Sequence, residues 1–127
     1  MIYTSYFGNL KNLSSNCVPI AICGKSPDWY NGLEFKKLAP KYSFFMEWKK
    51  NHNNDYYIEH FNKEVLETLN PNDIIKELML MAHNYKSLNY APHIVLLCYE
   101  KPTDFCHRHL VAQWLIQNGF ECEEYKS

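Results

Sequence analysis

Eleven residues, CYEKPTDFCHR at 98–108, carry two cysteines, a glutamate, an aspartate, a histidine and an arginine. These types meet the needs of covalent catalysis on an anionic substrate. Cys98 or Cys106 offers a thiol nucleophile, His107 or Glu100 can transfer protons, and the Arg108 guanidinium can hold a negative group. The stretch follows the apolar run IVLLC and precedes the amphipathic run HRHLVAQWLIQN, so it reads as a strand end, a short loop and a helix start. Unpaired amides and the peptide dipole at a helix N-terminus favour an anion beside Arg108, and they favour the thiolate form of Cys106.

At about 100° per residue, a helix over 107–118 gathers Leu110, Val111, Trp114 and Leu115 on one face. His107 falls on that face, Arg108 at its flank and His109 on roughly the opposite side. His107 and Arg108 are therefore expected to point to the strand ends, and His109 to solvent. Plainer uses compete with each role. Cysteine is among the most buried residue types, which suits Cys98 as a small neutral core side chain. His107 can bond a backbone carbonyl, Arg108 can fasten the loop through Glu100 or Asp104, and Asp104 can cap the helix.

Cys98, Cys106 and His107 also carry metal-ligand atoms, but their C-x7-C-H spacing lacks the close cysteine pair of structural zinc sites. No metal and no cofactor is expected on that ground. Cys17 and Cys23 stand too far apart along one strand to chelate together, and Cys122 suggests nothing specific. With four glycines the chain has no Walker-type loop and no GxGxxG, and no Cys-x5-Arg phosphatase loop is present.

The elements that must position this stretch can be read from periodicity. Ile2 to Ser5 predicts a strand, followed by a turn near Ser5 to Gly8 and a short helix through Leu10 and Leu13. CVPIAIC at 17–23 predicts a second strand, broken by the loop GKSPDWYNG. Pro40 ends any helical turn before it, and Ser43 and Asp55 are expected to cap the next two helices. The second of these runs to the Asn70-Pro71 break, and Pro71 opens another helix with Ile74, Ile75, Leu78 and Met79 as its buried stripe. IVLLC at 94–98 is continuous and apolar, the pattern of a central strand covered on both faces. Gly119 suits the C-terminal end of helix 107–118, and FECEEY predicts a last strand at an edge.

Strands alternating with helices predict an α/β fold: a single domain over 1–127 with a largely parallel sheet of about four strands flanked by helices. In such sheets ligands sit beyond the carboxyl ends of the strands. The loops TSYFG, GKSPDW and CYEKPTDFCHR are expected to converge there, which adds Ser5, Tyr6 and Trp29 to Arg108 as substrate-binding candidates.

Composition narrows the class. The hydrophobic fraction of 46% and the aromatic fraction of 16% are those of a globular chain, and the net charge of -1 gives no global attraction to phosphate backbones or anionic membranes. No secretory signal and no apolar run long enough to span a bilayer is seen, so a soluble cytoplasmic protein is expected. Five cysteines without a repeating framework predict free thiols in a reducing compartment rather than a disulfide scaffold.

LLCYEKPTDFCHRHLVAQWL at 96–115 resembles the hallmark of the domain of unknown function family 488: a strand ending LLC, a loop with glutamate, then CHR opening a helix. TSYF at 4–7, PDW at 27–29 and LAP at 38–40 are similar as well, so the resemblance covers most of the chain. It implies a small intracellular α/β protein of bacterial or phage type. By motif, Cys98, Glu100, Cys106, His107 and Arg108 carry over as site residues, with Pro27, Trp29 and Pro40 shaping the pocket. Residues and resemblance together predict an enzyme acting on a small anionic or nucleotide-like substrate at a Cys/His/Arg site. The competing expectation is a non-catalytic nucleotide- or nucleic-acid-binding module in which Trp29, Tyr6 and Tyr99 stack a base.

Overall fold

The computed structural model describes residues 1–86 and 92–126. Five strands form one sheet: β1 (Ile2–Tyr6), β2 (Cys17–Ala21), β3 (Leu33–Glu34), β4 (His93–Cys98) and β5 (Cys122–Glu124). Their order is β3-β2-β4-β1-β5 and every pairing is parallel. The four expected strands are present. The fifth, β3, is a two-residue edge strand, too short to leave a periodic signal.

β4 is central, as its unbroken apolar run predicts. Ile94 and Leu96 face a core that also takes Val18 and Ile20 from β2, while Val95 and Leu97 face a second, smaller core with Cys17, Ala21 and Phe7. A strand buried on both sides cannot alternate polar with apolar residues. The larger core receives side chains from each of the four α-helices among the described residues: Phe44 of α1 (Tyr42–Asn51), Phe61 of α2 (Asn54–Glu64), Leu78 of α3 (Pro71–Tyr85) and Val111 of α4 (His107–Gln117). The smaller core is closed by the 3-10 turn Phe7–Asn12 and by Tyr30.

Helix starts follow local chemistry, with two shifts from expectation. Asn53, not Asp55, caps α2 by accepting from the Tyr56 amide, and Asp55 sits inside the first turn. α1 begins at Tyr42, so Ser43 is helical and no side chain caps that end. α2 is also shorter than expected, since the chain after Val65 tightens into a 3-10 turn, Leu66–Thr68. Asn70 and Pro71 open α3 as predicted, with the Asn70 side chain accepting from the Asn72 and Asp73 amides. Gly119 has φ 90°, the left-handed value that ends α4 at little cost to glycine.

β1 and β2 are consecutive in sequence yet lie on either side of β4. Their carboxyl ends therefore flank that of β4, and the loops after β2 and β4 leave the sheet side by side. This is the crevice in which parallel sheets hold ligands. No helix among the described residues is long and apolar enough to cross a membrane.

Leu96 is fully buried at the centre of the middle strand. Leu96→Ala should lower unfolding free energy by about 2–5 kcal/mol, read from the urea midpoint. A loss below about 1 kcal/mol would show that β4 is not the packing centre.

Candidate active site

The loop from Tyr99 to Phe105 returns the chain from the end of β4 to the first turn of α4, and it brings Cys98 and Cys106 together as a disulfide. This corrects the expectation of five free thiols. Two cysteines eight residues apart meet because one closes a strand and the other caps the helix packed over it. Cys17, Cys23 and Cys122 are free and buried.

Arg108 is fully buried and engages three groups. Its Nε and Nη2 donate to the two carboxylate oxygens of Glu124 at 3.2 and 3.0 Å, a bidentate pair. Nη1 donates to the Glu100 carbonyl at 2.5 Å and to Cys98 Sγ at 3.1 Å. The Tyr6 ring lies 5.9 Å from the guanidinium carbon, and Thr4 Oγ1 donates to Glu124 at 2.8 Å. The fastening carboxylate is thus Glu124 on β5, neither Glu100 nor Asp104. Glu100 contributes a backbone oxygen, and the capping position of α4 is taken by Cys106 without a side-chain bond.

His107 is buried, and its Nε2 lies 2.7 Å from the Ile22 carbonyl. A carbonyl only accepts, so Nε2 carries the proton and Nδ1 keeps its lone pair. That lone pair faces Cys106 Sγ at 3.9 Å. Burial holds the His107 pKa at about 4, below the ordinary 6.5; the Ile22 carbonyl opposes this drop, and Arg108 and His109 add to it. The imidazole is neutral at pH 7.

His109 departs from the sequence expectation. It is only half-exposed, and its Nε2 is buried with no hydrogen-bond partner among the described residues. The reason is the edge strand: β5 lies beside β1, and His109 shares a hollow with Thr4 and Glu124 that an open helix flank would not have. Burial, with Arg108 adding to it, lowers its pKa.

A cavity of about 360 Å³ opens at the carboxyl edge beside this cluster. Cys98, Glu100 and His107 form one wall, and Cys23 with Lys25 a second. Phe45, Trp48 and Lys49 of α1 form a third, with Pro40 at its foot and Tyr99 at the rim. The volume is in the range of small-molecule sites. Two sulfurs line this space in different settings: Cys98, bonded to Cys106, receives the Arg108 donor, whereas burial pushes the Cys23 thiol up. Cys106 is buried like Cys98 and is not part of the cavity lining.

Of the residues singled out in the sequence, the fold gathers Cys98, Glu100, Cys106, His107 and Arg108 at one place. Ser5 is buried and accepts from Asn9 at 3.1 Å, away from the cavity. Trp29 is 63% exposed and meets Phe7 and Tyr30 edge-on, outside the cavity wall. Pro27 also lies outside it, and its carbonyl accepts from the Tyr30 amide. Lys25, Phe45, Trp48 and Lys49 went unnoticed. The last three stand at i, i+3 and i+4 on one helix face, a spacing that could have flagged them. Among the described residues neither Lys25 nor Lys49 forms an ion pair.

A parallel α/β sheet with a cysteine, histidine and arginine cluster at the carboxyl end of its central strand defines the class of protein. Residues 11–119 match the family model DUF488-N3a, described as the active DUF488-N3 subclade, and the chain belongs to the DUF488 family. No curated protein and no solved structure matches the chain.

Two outcomes follow from this geometry. Glu124→Ala leaves a buried guanidinium without its carboxylate and should cost about 3 kcal/mol, whereas the double variant Arg108→Met/Glu124→Leu should cost less than Glu124→Ala alone. Urea titration of the three proteins checks the order. The second outcome concerns pH. The unfolded chain protonates His107 near 6.5, whereas the folded chain resists protonation until about pH 4. Its contribution is therefore intact above pH 6.5 and falls as pH drops toward 4, by about 3 kcal/mol for a shift of this size. His107→Gln should lose less stability than the parent between pH 7 and 4.5, and parallel losses would refute the assignment.

Proposed function

We propose that this chain is an enzyme whose reduced Cys98 attacks a small anionic, nucleotide-like substrate held in the carboxyl-edge cavity. The observation that carries the reading is the Arg108 Nη1 donor 3.1 Å from Cys98 Sγ, at the wall of a cavity that a substrate can enter. A hydrogen bond from a cation favours thiolate over thiol, and the thiolate is the nucleophile. The other thiol at the cavity, Cys23, has burial working against it.

The remaining roles follow from position. Lys25 and Lys49 are exposed at the mouth and supply the positive charge that Arg108, enclosed by protein groups, directs inward. Trp48, Phe45 and Tyr99 offer flat apolar surface to a base. Attack forms a sulfur–substrate bond as the bond to the leaving group breaks, and Glu100, which borders the cavity, is the carboxyl group available there for proton transfer. Cys106, absent from the cavity lining, is the second thiol, and the neutral His107 Nδ1 faces its sulfur at 3.9 Å. The disulfide is the resting oxidised form. Two equivalents of a small-molecule thiol open it through a mixed disulfide, together supplying two electrons and two protons and leaving as their own disulfide. The description of the matching family as an active subclade agrees with catalysis.

The aromatic wall and the exposed Lys25 and Lys49, which form no ion pair among the described residues, equally favour a second reading, a nucleotide-binding module without chemistry. Iodoacetamide labelling of the reduced protein, followed site by site by mass spectrometry, separates the two. The enzyme reading expects Cys98 to react at least about tenfold faster than Cys23 near neutral pH. Millimolar AMP should slow that reaction. AMP binding with an unreactive Cys98 would leave only the binding module, and neither reactivity nor protection would sink both.

A further inference from the structure

We propose that the reduced form of this site is also a metal centre, in which Cys98, Cys106 and His107 bind one zinc ion and leave its fourth position open to the cavity. This goes beyond the thiol chemistry above, since an ion on Cys98 caps the nucleophile.

Three observations carry it. The two sulfurs and the His107 ring nitrogens offer ligand atoms that all lie within 4.8 Å of one another, and all three residues are buried. In a tetrahedral zinc site, ligand bonds of about 2.0–2.3 Å place sulfur and nitrogen roughly 3.5 Å apart and two sulfurs roughly 3.8 Å apart. Cys106 Sγ and His107 Nδ1 stand at 3.9 Å. Once the disulfide is opened, the sulfurs need only part to the distance that one shared ion sets.

The surroundings are those of metal ligands. Ligating histidines donate their other ring N–H to a carbonyl or carboxylate, which fixes the tautomer and aims the free lone pair. His107 does this through Nε2 to Ile22 at 2.7 Å, and its free lone pair points at the sulfur side. Arg108 donates to Cys98 Sγ at 3.1 Å, a bond that a metal-bound thiolate, still rich in charge, accepts well.

The site is also one-sided. Cys98 and His107 line the cavity and Cys106 does not, so the three protein ligands would hold the ion from the side of the cavity wall. Three ligands with an open fourth position are the pattern of exchangeable zinc rather than closed structural zinc. The donor set of two thiolates and one imidazole selects zinc and similar borderline-soft ions over magnesium or calcium. The sequence spacing argued against zinc because it was judged by closed structural sites, in which four ligands come from close pairs.

The site then has three exclusive states: disulfide, free dithiol and zinc-bound dithiolate. Reduction to the dithiol adds two electrons and two protons, either from two thiols that leave as their own disulfide or from a phosphine and water that leave as the phosphine oxide. Zinc then displaces the thiol protons to solvent.

Cobalt(II) is the probe. The phosphine-reduced protein should bind one equivalent, with the sulfur-to-cobalt charge-transfer and visible bands of a tetrahedral ion, and zinc should bleach them. The oxidised protein should show none. Cys106→Ser and His107→Ala should each weaken binding by at least about tenfold, as losing a ligand does, while Cys122→Ser keeps it. Circular dichroism of the metal-free variants checks that they fold. No cobalt spectrum in the reduced protein, or one unchanged in folded Cys106→Ser, would overturn the proposal. Labelling of metal-free Cys98 tests the catalytic reading separately, so a reactive Cys98 without cobalt binding would sink the metal centre alone.

Discussion

A guanidinium does not lose its proton inside a protein, so burying one obliges the fold to supply acceptors for it. Arg108 is such a group, and its acceptors come from three parts of the chain: Glu124 on β5, the Glu100 carbonyl in the loop, and Cys98 at the end of β4. With Tyr6 of β1 beneath it, the side chain ties the first turn of α4 to the three strands β4, β1 and β5. The angle at which α4 leaves the sheet is held by these bonds. Cys106 and His107, immediately before Arg108, inherit their positions from it.

The same arrangement explains why chemistry can be concentrated in so small a chain. Helices α1 to α4 feed one core, and among the described residues the other face of the sheet is covered by a short 3-10 turn and a few aromatic side chains. The sulfur pair sits with that thinner layer, at the carboxyl edge where β2 and β4 end together. α1 reaches over the same edge and closes the cavity with Trp48 and Lys49. Cys122, on β5 beside Ile2, has its thiol pushed up to about 11 by burial, with Glu124 and Glu123 adding to the rise.

Much of this architecture is legible in one dimension. The unbroken IVLLC run marks a strand covered on both faces, and Asn70-Pro71 marks a helix start, because burial and capping act on the residue itself and its near neighbours. The short edge strand β3 is invisible for the converse reason. Two residues show no period, and they become a strand only because β2 offers them a partner. The capping of α2 by Asn53 instead of Asp55 is a smaller case, settled by which of two nearby side chains reaches the free amides.

The candidate site divides along the same line. The sequence by itself determined that thiol, imidazole, carboxylate and guanidinium are carried to a strand-to-helix junction, because they are neighbours in the chain and the flanking periodicities place that junction. Only the tertiary structure decided what each group meets. Arg108 finds Glu124 sixteen residues on, His107 finds a carbonyl of β2's continuation, and His109 is enclosed by the edge strand rather than left in water. These are partnerships between residues far apart in the chain. They depend on strand order, and strand order leaves no local trace: β1 and β2 are successive in sequence, yet β4 lies between them.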